Sequence, residues 1–169
     1  MLDLILTGLR PLEEELLRIY NTSFEVNHKS DTSPVTQADI CSHLELSKIL
    51  KPFGYPILSE ESTENFDRST TKTFWVIDPL DGTKDFIQQT GEFSIMIGLV
   101  RDGIPIFGIV SVPAKQKIYY AEKGKGAYLI KNNGAPLKLE VSTNKTIRNA
   151  SFITSRNHFA NSMQKFTEN

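Results

Sequence analysis

The sequence is poor in the residues that would cross-link a chain or anchor it in a membrane. One cysteine, Cys41, excludes an intrachain disulfide and any zinc cage built from cysteines. The opening apolar run has no basic leader and is broken by Arg10 and Pro11, which together with the lone cysteine points to a reducing, cytoplasmic setting. No stretch approaches the ~20 apolar residues of a membrane-spanning helix, so no transmembrane segment is expected. Neither charge sign dominates: 19 Lys and Arg against 20 Asp and Glu leave a formal charge of -1. That balance excludes the global field of a protein that binds a nucleic-acid polymer or an anionic membrane. His28, His43 and His158 have no metal-ligand spacing and read as structural or surface residues. Gly124-Lys125-Gly126 lacks the rest of a phosphate loop and reads as a hairpin turn.

What is present is the composition of a globular domain, 39% hydrophobic and 23% charged over 169 residues. Residues 2–20 carry Leu and Ile at helical spacing, with Pro11 expected to kink that helix or start a second one. A polar loop over 21–34 follows. Thr36 and Asp39 then stand as a capping box opening a helix to about Leu50, which Gly54 and Pro56 end. Beyond Phe74 the signals become those of strands, over 74–77, 93–100, 104–112, 117–121, 127–130 and 137–141, with Arg101-Asp102-Gly103 as a hairpin turn. Two helices on a mainly antiparallel sheet make an α+β layer.

Four acidic residues fall at chain breaks rather than on helix faces: Glu60 and Glu61, then Asp78 and Asp81. Asp78 follows an apolar strand, Pro79 fixes φ and Gly82 permits a sharp turn, so both aspartates can face one point. Carboxylates with a backbone carbonyl between them are hard oxygen ligands, suited to Mg²⁺ rather than to zinc or copper. Thr83 can cap a helical turn, and amides at Gly82 and Thr83 would then offer an anion site. The bland readings compete at each position. Asp-Gly is a common turn, a Glu pair usually lies on a solvated surface, Asp39 alone is a helix cap, and Asp31 alone is a loop charge.

Taken jointly, Ser59-Glu60-Glu61-Ser62 and Trp75-Val76-Ile77-Asp78-Pro79-Leu80-Asp81-Gly82-Thr83 resemble the inositol monophosphatase-like superfamily of lithium-sensitive, Mg²⁺-dependent phosphatases. Three further stretches are similar to its 3′(2′),5′-bisphosphate nucleotidase branch, known from bacterial sulfur metabolism. These are Ser30-Asp31 through Asp39, Lys84-Asp85-Phe86-Ile87, and Gly91-Glu92-Phe93-Ser94. The resemblance implies that Glu60, Asp78, Asp81 and the Leu80 carbonyl bind two or three Mg²⁺ ions. It implies that Gly82 and Thr83 cradle the substrate phosphate, and that Asp31 and the Thr83 hydroxyl activate the attacking water. Asp39 and Glu61 would support the site from behind.

The implied fold is the N-terminal layer of the inositol monophosphatase/fructose-1,6-bisphosphatase-like fold. Residues 1–154 would form the metal-binding domain and 155–169 the start of a truncated C-terminal α/β domain, whose Trp-Asp motif is absent from this sequence. The expected activity is hydrolysis of the 3′(2′) phosphate of adenosine 3′,5′-bisphosphate or a related nucleotide, a small-molecule substrate. An inositol monophosphatase, or a metal- and phosphate-binding module with little turnover, are the alternatives. An apolar sheet face left without its second domain would favour self-association.

Overall fold

The apolar spacing of the first twenty residues produces one helix, α1 (Leu2–Tyr20), with Ile5, Leu9, Leu12, Leu16 and Ile19 buried along a single stripe. The structure, a computed structural model, describes residues 1–22, 26–28, 34–62, 66–147 and 150–151. The expected break at Pro11 does not occur. Pro11 removes one helical N–H, but it lies on the exposed side while the buried stripe continues on both sides of it.

The expected loop over 21–34 is not all loop: a short strand, β1 (Val26–His28), lies within it and pairs antiparallel with β2 (Pro34–Thr36). The sequence readings of Asp31, His158 and the 155–169 segment fall outside the described residues. Helix α2 (Gln37–Leu50) starts with the predicted capping box. The Thr36 side chain accepts from the Ala38 amide at 3.1 Å, and Asp39 accepts from the Thr36 amide at 2.7 Å. A single 3₁₀ turn and Gly54, at φ 72°, close the helix.

A parallel strand absent from the sequence reading follows, β3 (Ile57–Ser59). It lies beside β4 (Thr73–Asp81). At three residues it is too short to leave a period-2 pattern, and only the apolar pair Ile57-Leu58 hints at it. The rest is an antiparallel meander of β5 (Ser94–Arg101), β6 (Ile104–Val112), β7 (Lys117–Glu122), β8 (Gly126–Lys131) and β9 (Leu137–Leu139). The short helix α3 (Thr83–Ile87) sits between β4 and β5. The seven strands run in sequence order across the sheet, and only the β3–β4 pairing is parallel. Met1–Leu139 forms one compact unit and Glu140–Asn169 a second. In the second unit residues 140–147 are exposed.

One sheet face supplies the core. Trp75 pairs with Leu99 and Ile77 with Ile97, then Leu99 with Phe107 and Ile97 with Ile109. These six side chains are 5% exposed or less, as is the α1 stripe. Burial of each such side chain is worth about 1.5–3 kcal/mol. The opposite face carries a row of small residues, Gly98, Gly108, Ala121 and Ala127, between Val76 and Leu139. That row floors a shallow apolar groove which reaches Asp78. Among the described residues no helix is long and apolar enough to cross a membrane.

Gly82 joins the sheet to α3 with φ 86°, a region open to glycine. A Cβ there would lie 2.7 Å from the Glu92 backbone carbonyl. Gly82→Ala is therefore expected to destabilise the chain by about 2–3 kcal/mol, through strain and displacement of the 91–93 backbone. A thermal midpoint within a degree of the parent protein's would contradict this.

Candidate metal centre

The two aspartates of the central motif lie three residues apart, and in a regular strand that odd spacing would turn them to opposite faces. The sheet resolves this with a bulge. Asp78 pairs with Met96 and Asp81 with Ser94, so Pro79 and Leu80 on β4 oppose Ile95 alone on β5. One extra residue restores a shared face and bends the strand. Pro79 suits the bulge because it has no amide to contribute to the ladder.

Each group in the bend is held by named contacts. Asp78 Oδ1 accepts from the Leu80 amide at 3.2 Å, and Asp81 Oδ2 from the Ser94 hydroxyl at 3.3 Å. Ser42 of α2 donates to the Pro79 carbonyl at 2.6 Å. Helix α3 follows at once, and Phe86 within it packs on Phe93 and Tyr20 with ring centres 4.8 and 5.1 Å away. The Lys84–Ile87 and Gly91–Ser94 stretches thus share a physical role, since they anchor the turn to the core by aromatic contacts.

Thr83 does not cap α3. Gly82 takes the cap position, without a side-chain bond, because only glycine fits its backbone conformation. The Thr83 hydroxyl instead lies 3.0 Å from Asp39 Oδ1 and 3.1 Å from the Leu80 carbonyl. Its one proton can serve one acceptor at a time, and a carboxylate is the stronger of the two. Asp39 is 3% exposed, and its other oxygen accepts from both the amide and the hydroxyl of Thr36. The structure therefore joins Thr83 to Asp39. Asp31, the expected partner of that hydroxyl, lies outside the described residues.

The acidic groups sense one another. Burial, followed by the negative charges of Asp81, Glu60 and Asp39, pushes the Asp78 carboxyl up to about 6, against the opposing pull of the Leu80 amide bond. Among the described residues, however, no three His, Cys, Asp or Glu side chains are already drawn together in metal-holding geometry. The groups that could hold a metal are the carboxylates of Glu60, Asp78 and Asp81, with the Leu80 carbonyl between the aspartates. This donor set fits a hard divalent cation by chemistry, and the raised Asp78 marks where positive charge would be stabilised. Glu61 follows Glu60 in the turn after β3, and its amide donates to Ser59 Oγ at 3.3 Å.

A pH dependence follows for the metal-free chain. The folded state raises Asp78 from its ordinary value near 3.8 to about 6, so it holds the proton more tightly than the unfolded state does. This group's contribution to stability is fully present below about 3.8 and is lost as pH rises through about 6. Urea midpoints in chelator are expected to fall across that window, and less steeply for Asp78→Asn. Equal slopes for the two proteins would refute the assignment.

Comparison with known proteins places the whole chain rather than its single residues. The model of the inositol monophosphatase family matches residues 9–168. The chain is 41% identical over 130 residues to a 3′(2′),5′-bisphosphate nucleotidase CysQ of Aggregatibacter actinomycetemcomitans, covering 75% of this chain and 48% of that protein. It is 34% identical over 157 residues to a histidinol-phosphatase of Mycobacterium tuberculosis, covering 88% of this chain and 58% of the relative. Among solved structures, CysQ from Bacteroides thetaiotaomicron superposes with a TM-score of 0.72 at 30% identity, over 93% of this chain and 63% of that one. The chain spans about half the length of the curated relatives it matches.

Proposed function

Because this chain belongs to the inositol monophosphatase family, we propose that it forms the metal-binding half of a Mg²⁺-dependent phosphomonoester hydrolase. The substrate proposed is adenosine 3′,5′-bisphosphate or a related nucleotide, which loses its 3′(2′) phosphate. The observation that carries the reading is the bulged Asp78–Asp81 turn, set beside a Thr83 hydroxyl bonded to the buried Asp39 carboxylate. The nucleotide preference rests on the 41% identity to a relative named as a bisphosphate nucleotidase.

Glu60, Asp78, Asp81 and the Leu80 carbonyl would hold Mg²⁺, two or three ions in all. Bound there, Mg²⁺ would neutralise charge on the phosphoryl oxygens and lower the pKa of a water. The chain's own residues do the positioning. With its proton given to Asp39, the Thr83 oxygen has lone pairs left to accept a hydrogen bond from an attacking water. A proton leaving that water can pass through Thr83 to Asp39, whose second oxygen is held by Thr36. Asp39 thereby takes the water-orienting role in this reading, with Asp31 as the competing candidate. Amides at Gly82 and Thr83 would receive the phosphate. The lone Cys41 suits a cytoplasmic setting, and the apolar groove across the sheet supports self-association, which light scattering would measure.

Calorimetric titration with Mg²⁺ and turnover on a substrate panel test the proposal together. Mg²⁺ binding with a clear preference for 3′,5′-bisphosphorylated nucleotides over inositol 1-phosphate is expected. Preference for the inositol ester would move the substrate assignment, and binding without turnover would make the chain a metal- and phosphate-binding module.

A further inference from the structure

Helix α2 presents three polar side chains on one face toward the site, at positions i, i+3 and i+4. Asp39 is the first and reaches Thr83. The second, Ser42, is wholly buried and donates at 2.6 Å to the carbonyl of Pro79, which is itself buried and lies between the two aspartates. The third, His43, has its Nδ1 2.8 Å from the Ser59 hydroxyl, 8% exposed, and Ser59 immediately precedes Glu60. Ser59 Oγ also receives the Glu61 amide at 3.3 Å, so one hydroxyl links His43 to the turn that carries Glu60 and Glu61.

The two arms of the carboxylate cluster come from distant parts of the chain. Glu60 follows the parallel edge strand β3, and Asp78 and Asp81 sit in the β4 bulge. Both arms are met by side chains of α2, Ser42 and His43. Each grips the backbone or hydroxyl one residue away from a proposed ligand.

We infer that Ser42 and His43 are positioning residues that clamp the two ligand-bearing arms to α2 at a fixed separation. The inference rests on the metal-binding reading above. Its chemistry is that of groups behind metal ligands, whose loss costs metal affinity because the ligands must then be ordered on binding. A burial role alone would cost stability and leave the affinity of the folded chain unchanged. His43 and Ser59 act as one unit in this scheme, and Ser42 acts as a second.

The test is Mg²⁺ calorimetry on the 169-residue chain, at a temperature where circular dichroism shows each variant folded. His43→Ala and Ser59→Ala are each expected to weaken Mg²⁺ binding about tenfold. The double variant should also lose about tenfold rather than a hundredfold, because both changes break one contact. His43→Asn, whose side-chain amide offers both an acceptor and a donor to the Ser59 hydroxyl, should recover most of the affinity. Ser42→Ala should add its own loss to that of His43→Ala. Amide exchange at Glu61 should quicken in His43→Ala, although Ser59 is intact. If His43→Ala fails to fold, Ser59→Ala and His43→Asn carry the same comparison. Unchanged Mg²⁺ affinity in the folded variants, or losses at His43 and Ser59 that multiply, overturns the clamp alone. A parent chain that binds no Mg²⁺ overturns the metal reading and the clamp with it.

Discussion

Asp81→Asn is expected to weaken Mg²⁺ binding by more than about a hundredfold and to lower kcat/KM by at least the same factor, about 3 kcal/mol of transition-state stabilisation. Asp81 is exposed and its resolved side-chain contact is a long bond from Ser94. The variant should therefore fold with near-parental stability, and the loss belongs to the site rather than to the scaffold. A second signature separates charge from shape. Asp81 is the leading charge that raises the Asp78 carboxyl, after burial itself. Removing it should lower the Asp78 titration midpoint in the metal-free chain, followed by carboxyl NMR across pH 3–8. An Asp81→Asn protein that binds Mg²⁺ as the parent does would remove the basis for the assignment.

Asp39→Asn is the second large effect, expected to lower kcat by about 10²–10⁴, the range associated with a lost general base. Asparagine keeps the size of the side chain but cannot take up a proton from Thr83. It also weakens the capping box of α2, at about 1 kcal/mol of stability. The catalytic loss should far exceed what that fraction of unfolding explains, which parallel thermal melts would establish. Asp31→Asn is the control, because Asp31 is the sequence-based candidate for the same task. A larger loss of kcat for Asp31→Asn than for Asp39→Asn would return the water-orienting role to Asp31.

The assignment of Asp39 shows where sequence reasoning stops. Its position in Thr36-Gln37-Ala38-Asp39 announced a helix cap, and it is one. Nothing in that local pattern says that the second carboxylate oxygen reaches Thr83, 44 residues further on. The contact exists because α2 packs on β4, which is a long-range event. Thr83 itself read as a cap because threonine commonly caps helices. Gly82 displaced it, since a positive φ at the turn leaves the cap to glycine. The short parallel strand β3 was invisible for a related reason. Its stability comes from pairing with Trp75, Val76 and Ile77 rather than from its own pattern.

The sequence by itself determined the two long helices, the meander and the carboxylate-rich turn, because period, cap and turn chemistry are local properties. It also carried the family resemblance, through the joint spacing of Glu60 and the Asp78–Thr83 stretch. Tertiary structure alone decided the one-residue bulge that turns Asp78 and Asp81 to one face, and the union of Asp39 with Thr83. It also decided the grip of α2 on both arms through Ser42 and His43. Those features depend on strand register and on helix-to-sheet packing, and both arise between segments tens of residues apart.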